Sequence, residues 1–258
     1  MDLALKGKTA LVTGGTKGIG LACAKALMAE GVQVVIAGRS DATVEAALAD
    51  LDGAQGLAAD LRSAEAAAEM VTACRGMVGE IDILINSAGA AQRTVPEKLT
   101  PEHWRAAMDA KFFSYINVID PVVKLMAARG AGRIVNIIGA GGKVASPIHL
   151  PGGSANAALM LATAGLATAY AAEGLRVIGL NPGATKTARL KEGLKAQAEF
   201  AGITVEEAEQ QAASRIPLGR MAEPEEVANM AVFLASDRAS YVTGVTINMD
   251  GAVTATVV

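Results

Sequence analysis

The residues best suited to chemistry in this chain gather first in one short run, Thr13-Gly14-Gly15-Thr16-Lys17-Gly18-Ile19-Gly20. Glycines at 14, 18 and 20 let a backbone turn sharply and come close to a pyrophosphate. The helix that starts there offers free N–H groups and the positive end of its dipole. Many tight strand–helix turns take glycine on steric grounds alone. Here the turn follows the apolar run Thr9–Thr13 and opens an amphipathic run to Glu30, the βαβ setting of a dinucleotide site. A second run, Gly38-Arg39-Ser40, ends the next apolar stretch and carries no acid before Asp41. A carboxylate there would hold a ribose 2′-hydroxyl, whereas a guanidinium beside a hydroxyl suits a 2′-phosphate. Lys17 adds a cation on the same side. NADP(H) is therefore favoured and NAD(H) stays open, the plainer reading being two solvated surface cations.

Other chemistries find little support. The two cysteines, Cys23 and Cys74, sit in Ala-rich helical stretches and read as buried thiols in a reducing compartment, so no Cys-based zinc site or disulfide scaffold is expected. No metal-ligand cluster and no nucleophile elbow is recognisable. A net charge of −3 leaves no basic footprint for nucleic acid. The N-terminus lacks a secretory h-region, and the uncharged stretch 144–172 is weakly hydrophobic and broken by Pro147, Pro151, Gly152 and Gly153. A cytoplasmic protein with no membrane span is the expectation.

Apolar runs at 9–13, 32–37, 56–59, 81–86, 133–138, 175–180 and 245–249 alternate with helical ones near 41–50, 63–78 and 101–128. Continuous apolar strands joined by helical crossovers demand a parallel sheet covered on both faces. The expected fold class is α/β: a Rossmann-like, doubly wound, predominantly parallel seven-stranded sheet with helices on both faces. A single domain over 1–258 is expected, long enough to bury a core unaided. The charged helical portion 186–214 would lie over the carboxyl ends of the strands, as a substrate lid or as a plain surface pair.

Taken together, these motifs resemble the short-chain dehydrogenase/reductase superfamily over nearly the whole chain. Its Thr-Gly-x-x-x-Gly-x-Gly turn matches Thr13 to Gly20. Its acidic residue after the third strand, a contact of adenine, falls on Asp60 beside Leu61. Its Asn-Asn-Ala-Gly segment appears as Asn86-Ser87-Ala88-Gly89, and its Asn-Pro-Gly as Asn181-Pro182-Gly183. The tail from Pro217-Leu218-Gly219-Arg220 to Asp250-Gly251 is also family-like. The resemblance implies cofactor contacts at Gly14, Thr16, Lys17, Gly18, Ile19, Gly20, Arg39, Ser40, Asp60, Leu61, Asn86, Ala88, Gly89, Pro182, Gly183, Thr185 and Thr187, the last touching the nicotinamide amide. It also implies a homo-oligomer, tetramer or dimer, for which the apolar helix near 154–172 supplies a contact face.

The family's reaction uses an Asn, a Ser and a Tyr-x-x-x-Lys pair. Placed without a gap, these positions fall on Lys111, Gly139, Gly152 and Asn156, so none of the four is kept. A general acid is worth about 10²–10⁴ in rate and one oxyanion donor about 10²–10³, so unreplaced losses would stop ketone reduction. Stand-ins are therefore expected. Lys111 and Asn156 read as a reciprocal exchange that keeps an ammonium in the pocket, the alternative being a helix-surface lysine. His149, expected on a loop because Pro151, Gly152 and Gly153 delay the next helix, is a candidate proton donor. Ser154, Ser146 and Lys143 are weaker candidates. The reading that leads is an NADP(H)-dependent oxidoreductase with an atypical site, acting on a carbonyl/alcohol or activated double bond of a small organic substrate. A non-redox lyase, hydratase or hydrolase on the same scaffold, or an NADP(H) sensor without turnover, stands as the alternative.

Overall fold

The computed structural model describes residues 1–89 and 91–254. Seven strands form one sheet: β1 (Thr9–Thr13), β2 (Gln33–Gly38), β3 (Gln55–Ala58), β4 (Ile83–Asn86), β5 (Gly132–Ile137), β6 (Leu175–Pro182) and β7 (Thr246–Met249). Their order is β3-β2-β1-β4-β5-β6-β7 and every pairing is parallel. The order reverses between β1 and β4, which opens a crevice at the carboxyl ends of those strands, where ligands bind in such sheets.

Burial on both faces explains the continuous apolar runs. Side chains alternate along a strand, so Val12, Ile36, Ile85, Val135 and Ile178 enter one core while Leu11, Val35, Leu84, Ile134 and Val177 enter the other. Helices α1 (Gly18–Ala29), α2 (Asp41–Leu48) and α9 (Pro224–Ala235) cover the first face. The second is covered by α3 (Ala64–Val78), α5 (Ser114–Arg129) and α6 (Leu150–Tyr170). Cys23 and Cys74 are free and buried in these two cores, and burial pushes both thiols up to about 12. Among the described residues no helix is long and apolar enough to cross a membrane, and no group of metal-binding side chains occurs.

Two expectations need correction. The long helix expected over 101–128 is not uniform: α4 (Pro101–Ala107) passes into a π-helical turn, Met108–Phe113, before α5 begins. A π turn carries an extra residue per turn and re-aims side chains, often at functional sites. The helix after β5 is not delayed by Pro151 and its glycines, since α6 starts at Leu150. Proline is at ease in a first turn because the N–H it lacks would have no intrahelical partner there. The portion 186–214 folds as α7 (Ala188–Ala201) and α8 (Val205–Ser214), closed by a small apolar cluster of Leu194, Ala198 and Ala208. Thr187 caps α7 and Thr204 forms a capping box with Glu207.

Candidate active site

The glycine turn is built for a close ligand. Gly14 takes a φ of +65°, and a Cβ there would lie 2.8 Å from the Ala88 backbone. A Cβ on Gly20 would run into the Gly14 carbonyl. No side chain caps α1, so its first N–H groups are left free for another partner. Thr187 lies across this turn, its Cγ2 3.3 Å from where a Gly18 Cβ would stand. Thr185 is buried and bonds the Gly183 carbonyl, which fixes the Pro182-Gly183 bend after β6. Shape and exposed backbone donors fit the pyrophosphate of a dinucleotide.

At the adenosine end, Arg39 and Ser40 are exposed at the end of β2, and the Ser40 hydroxyl shares a hydrogen bond of 3.1 Å with Thr43. Arg62 donates to the Asp60 carboxylate at 2.6 Å, and this partner, with a smaller field from Arg39, holds Asp60 down at about 2. Leu61 is buried beside it and its carbonyl accepts from Asn117. One expected contact changes role. Asn86 is wholly buried, accepting from the Thr13 hydroxyl at 3.1 Å and donating to Asn136 at 3.1 Å, which in turn donates to Thr163 at 3.0 Å. This ladder, with the Ala88 N–H on Thr13, ties β1, β4, β5 and α6 together under the crevice. The Asn86 side chain shapes the floor, since its polar atoms are spent on neighbours. Gly89 closes the bend above it, with φ at +91° and the Ala110 carbonyl pressed against the space of a side chain.

The π turn brings Lys111 inward. The residue is 8% exposed, and its Nζ donates to the Tyr115 hydroxyl at 3.0 Å and the Ile137 carbonyl at 3.1 Å. Tyr115 itself donates to Ile137 at 2.5 Å. Lys111 is thus a buried lysine at the carboxyl end of β5, not a surface one. Desolvation, assisted by the field of Arg189, pushes it down to about 7. Gly139 holds a φ of +121°, a conformation a side chain resists. Asn156 is buried on α6, bonding the Gly139 carbonyl at 3.4 Å while its Oδ1 has no partner.

His149 ends the turn Pro147–His149 and immediately precedes α6. Its imidazole fills the space into which residue 152 would project. A Cβ on Gly152 would meet its Cε1 outright and lie 2.6 Å from its Nε2, and one on Gly141 would lie 3.1 Å from its Cδ2. The ring therefore occupies, from the preceding turn, the space beside position 152. Burial first, then Arg93, Arg189 and Lys111, push His149 down to about 4. This weakens the candidate proton donor expected above, because the lowering disfavours the imidazolium form. Ser154 is also corrected. It is exposed on α6 and donates to the Leu150 carbonyl at 3.1 Å, so the structure does not bring it to the others. Ser146 and Lys143 lie on the loop before this turn, Lys143 exposed.

Three residues escaped the sequence reading: Tyr115, Arg93 and Arg189. Tyr115 had a signal, standing four after Lys111. The arginines had none, since each is a lone cation in its own segment.

A family model described as enoyl-(acyl carrier protein) reductase matches residues 14–254. Gluconate 5-dehydrogenase of Gluconobacter oxydans is 34% identical, over 97% of this chain and 96% of its own. The 3-oxoacyl-[acyl-carrier-protein] reductase FabG of Haemophilus influenzae is 30% identical, over 96% and 98%. The chain belongs to the short-chain dehydrogenase/reductase superfamily. Relatives of this family carry the names of dehydrogenases and reductases, and the chain is an oxidoreductase of that type. Among solved structures, an actinorhodin polyketide ketoreductase with NADPH superposes with a TM-score of 0.93 at 30% identity, covering 96% of this chain and 98% of that one. An NAD+-bound xylitol dehydrogenase gives 0.93 at 25%, covering 96% and 100%. The seven-stranded parallel sheet is the fold of these enzymes.

Proposed function

We propose that this protein is an NADP(H)-dependent oxidoreductase whose active site has been rebuilt, all four family positions being replaced at Lys111, Gly139, Gly152 and Asn156. The observation that carries this reading is the His149 imidazole standing where the residue-152 side chain would stand. The dinucleotide, when bound, supplies or accepts a hydride at the carbonyl or alcohol carbon of a small substrate. Backbone N–H groups at Gly18, Ile19 and Gly20 would hold its pyrophosphate, Arg39, Ser40 and Lys17 its 2′-phosphate, and Thr187 its amide. Asn156, at the position of the family lysine, would face its nicotinamide ribose.

The neutral His149 N–H holds the substrate oxygen as negative charge develops on it. Lys111, poised near neutral pH, supplies the proton, since a catalytic acid works best when its pKa matches the operating pH. Tyr115 and the Ile137 carbonyl fix the ammonium, leaving its third N–H for the substrate side. Helices α7 and α8 over 186–214 close the site within a single domain. The uncharged helix α6, with Leu161 exposed on it, is the face proposed for a homo-oligomer, and nothing in the charge distribution invites nucleic acid. A cytoplasmic location agrees with the two free thiols.

The test is an NADPH fluorescence titration followed by absorbance-monitored consumption with a panel of carbonyls and enones. The reading expects NADPH to bind more tightly than NADH and to be consumed, with His149→Phe losing turnover but not binding. Tight binding without consumption favours the sensor instead, and binding of neither nucleotide overturns the cofactor assignment.

A further inference from the structure

We infer that the mouth of this crevice holds a substrate carboxylate between Arg93 and Arg189. The inference rests on the crevice being the substrate site, as proposed above. Arg93 stands on the loop after β4 and Arg189 on the first turn of α7, so two elements at the carboxyl ends of the strands each contribute one guanidinium.

Both guanidiniums are placed rather than free. Arg189 donates through Nη2 to the Ala91 carbonyl at 3.2 Å, which ties α7 to the post-β4 loop. Arg93 lies against Gly193 in the middle of α7. A Cβ there would stand 2.8 Å from its Nε, 3.2 Å from its Cζ and 3.3 Å from its Nη2. A mid-helix glycine weakens a helix relative to alanine, and here the room it leaves is filled by the guanidinium. The loop is further pinned by the Thr94 N–H on the Ile148 carbonyl at 3.1 Å, next to His149.

The charges facing this space have one sign. Arg93 on the loop, Arg189 on α7 and Lys111 on the π turn all act on His149, and no acidic group does. Arg93 and Arg189 also act on each other. Among the described residues no carboxylate lies within 4.0 Å of Arg93, Arg189 or Lys111. Beyond the Tyr115 phenol, exposed Glu192 is the one carboxylate felt by Arg189, from farther off. Both arginines remain open to solvent, so a ligand can reach them. Two unneutralised guanidiniums at one crevice repel one another, and an anion relieves that repulsion. A carboxylate matches the guanidinium fork bidentately. The neutral imidazole and the ammonium deeper in the crevice then face the substrate's carbonyl.

The experiment measures binding to the NADP+ complex by calorimetry, using pyruvate, acetoacetate and levulinate, each against its methyl ester. The proteins are the wild type, the double variant Arg93→Met/Arg189→Met, and Gly193→Leu, which evicts the Arg93 guanidinium from its notch. At least one acid is expected to bind about tenfold or more tighter than its ester, the ratio that roughly one charge-assisted pair confers. The double variant is expected to erase that preference and Gly193→Leu to reduce it, with NADPH affinity unchanged in both. Acids that bind no better than esters, or a preference that survives the double variant, overturn the inference. So does a loss of NADPH affinity with the acid preference intact, because the arginines would then serve the dinucleotide's own phosphates. Failure of wild-type protein to bind NADPH at all strikes the underlying reading instead.

Discussion

The crevice has two walls that obey different rules. On the side of β1, β2 and α1, the nucleotide site is made of backbone: glycines that admit close approach, N–H groups at a helix start, a bend held by Ala88 against Gly14. On the side of β5, the π turn, α6 and α7, the site is made of side chains, Lys111, His149 and Asn156 among them. Binding through backbone depends on shape, which few substitutions preserve, so it stays with its motif. Chemistry through side chains depends on where a functional group ends up, and several backbone origins reach the same point. His149 arrives from the turn before α6, and Lys111 arrives from a helix whose π turn aims it inward.

Lys111→Met attacks this contrast hardest. Turnover should fall by about 10²–10⁴, the worth of a positioned acid, with NADPH affinity unchanged. The variant should not lose stability, since a buried ammonium without a carboxylate costs free energy that Met does not. A pH series sharpens the point. The folded-state value near 7 lies below the unfolded 10.5, so the unfolded chain binds more protons between them. Stability should therefore rise with pH across that window in the wild type and lose that rise in Lys111→Met, as read by urea unfolding. A turnover unaffected by the change would make Lys111 a structural residue.

Arg39→Ser tests the other wall with a smaller effect. NADPH should bind about tenfold more weakly or worse, consistent with loss of a charge-assisted bond, and NADH should be nearly unaffected in the same fluorescence titration. Equal losses for both nucleotides would remove the 2′-phosphate assignment. Ser154→Ala marks the bottom of the scale. Its hydroxyl serves only the Leu150 carbonyl on an exposed face, so neither turnover nor stability should move beyond about 0.5 kcal/mol.

The legibility of the chain divides along the same line. Strands were plain because burial on both faces makes them continuously apolar, and their ends shifted by only a residue or two, as at β2 and β3. The glycine turn was plain because its residues are contiguous. The π turn was hidden, because Met108–Phe113 carries ordinary helix-compatible residues and the extra residue per turn is set by packing on β5. Pro151 and its glycines misled, being a helix start that reads like a helix delay. Arg93 and Arg189 were invisible because only the fold brings a loop after β4 beside α7. Asn86 matched its motif, yet its side chain is consumed by the ladder from Thr13 to Thr163, a partnership between strands that no single segment displays.

The most direct test of the proposed site is single-turnover oxidation of bound NADPH by an accepted carbonyl in Gly152→Leu, a change whose side chain must displace the His149 ring, crowds the Ala91 Cβ 2.8 Å away and replaces no residue assigned to the nucleotide. The account predicts an NADPH dissociation constant within about twofold of wild type and an oxidation rate lower by about 10² or more, the worth of one oxygen-holding donor. An unchanged oxidation rate with the imidazole displaced would contradict it.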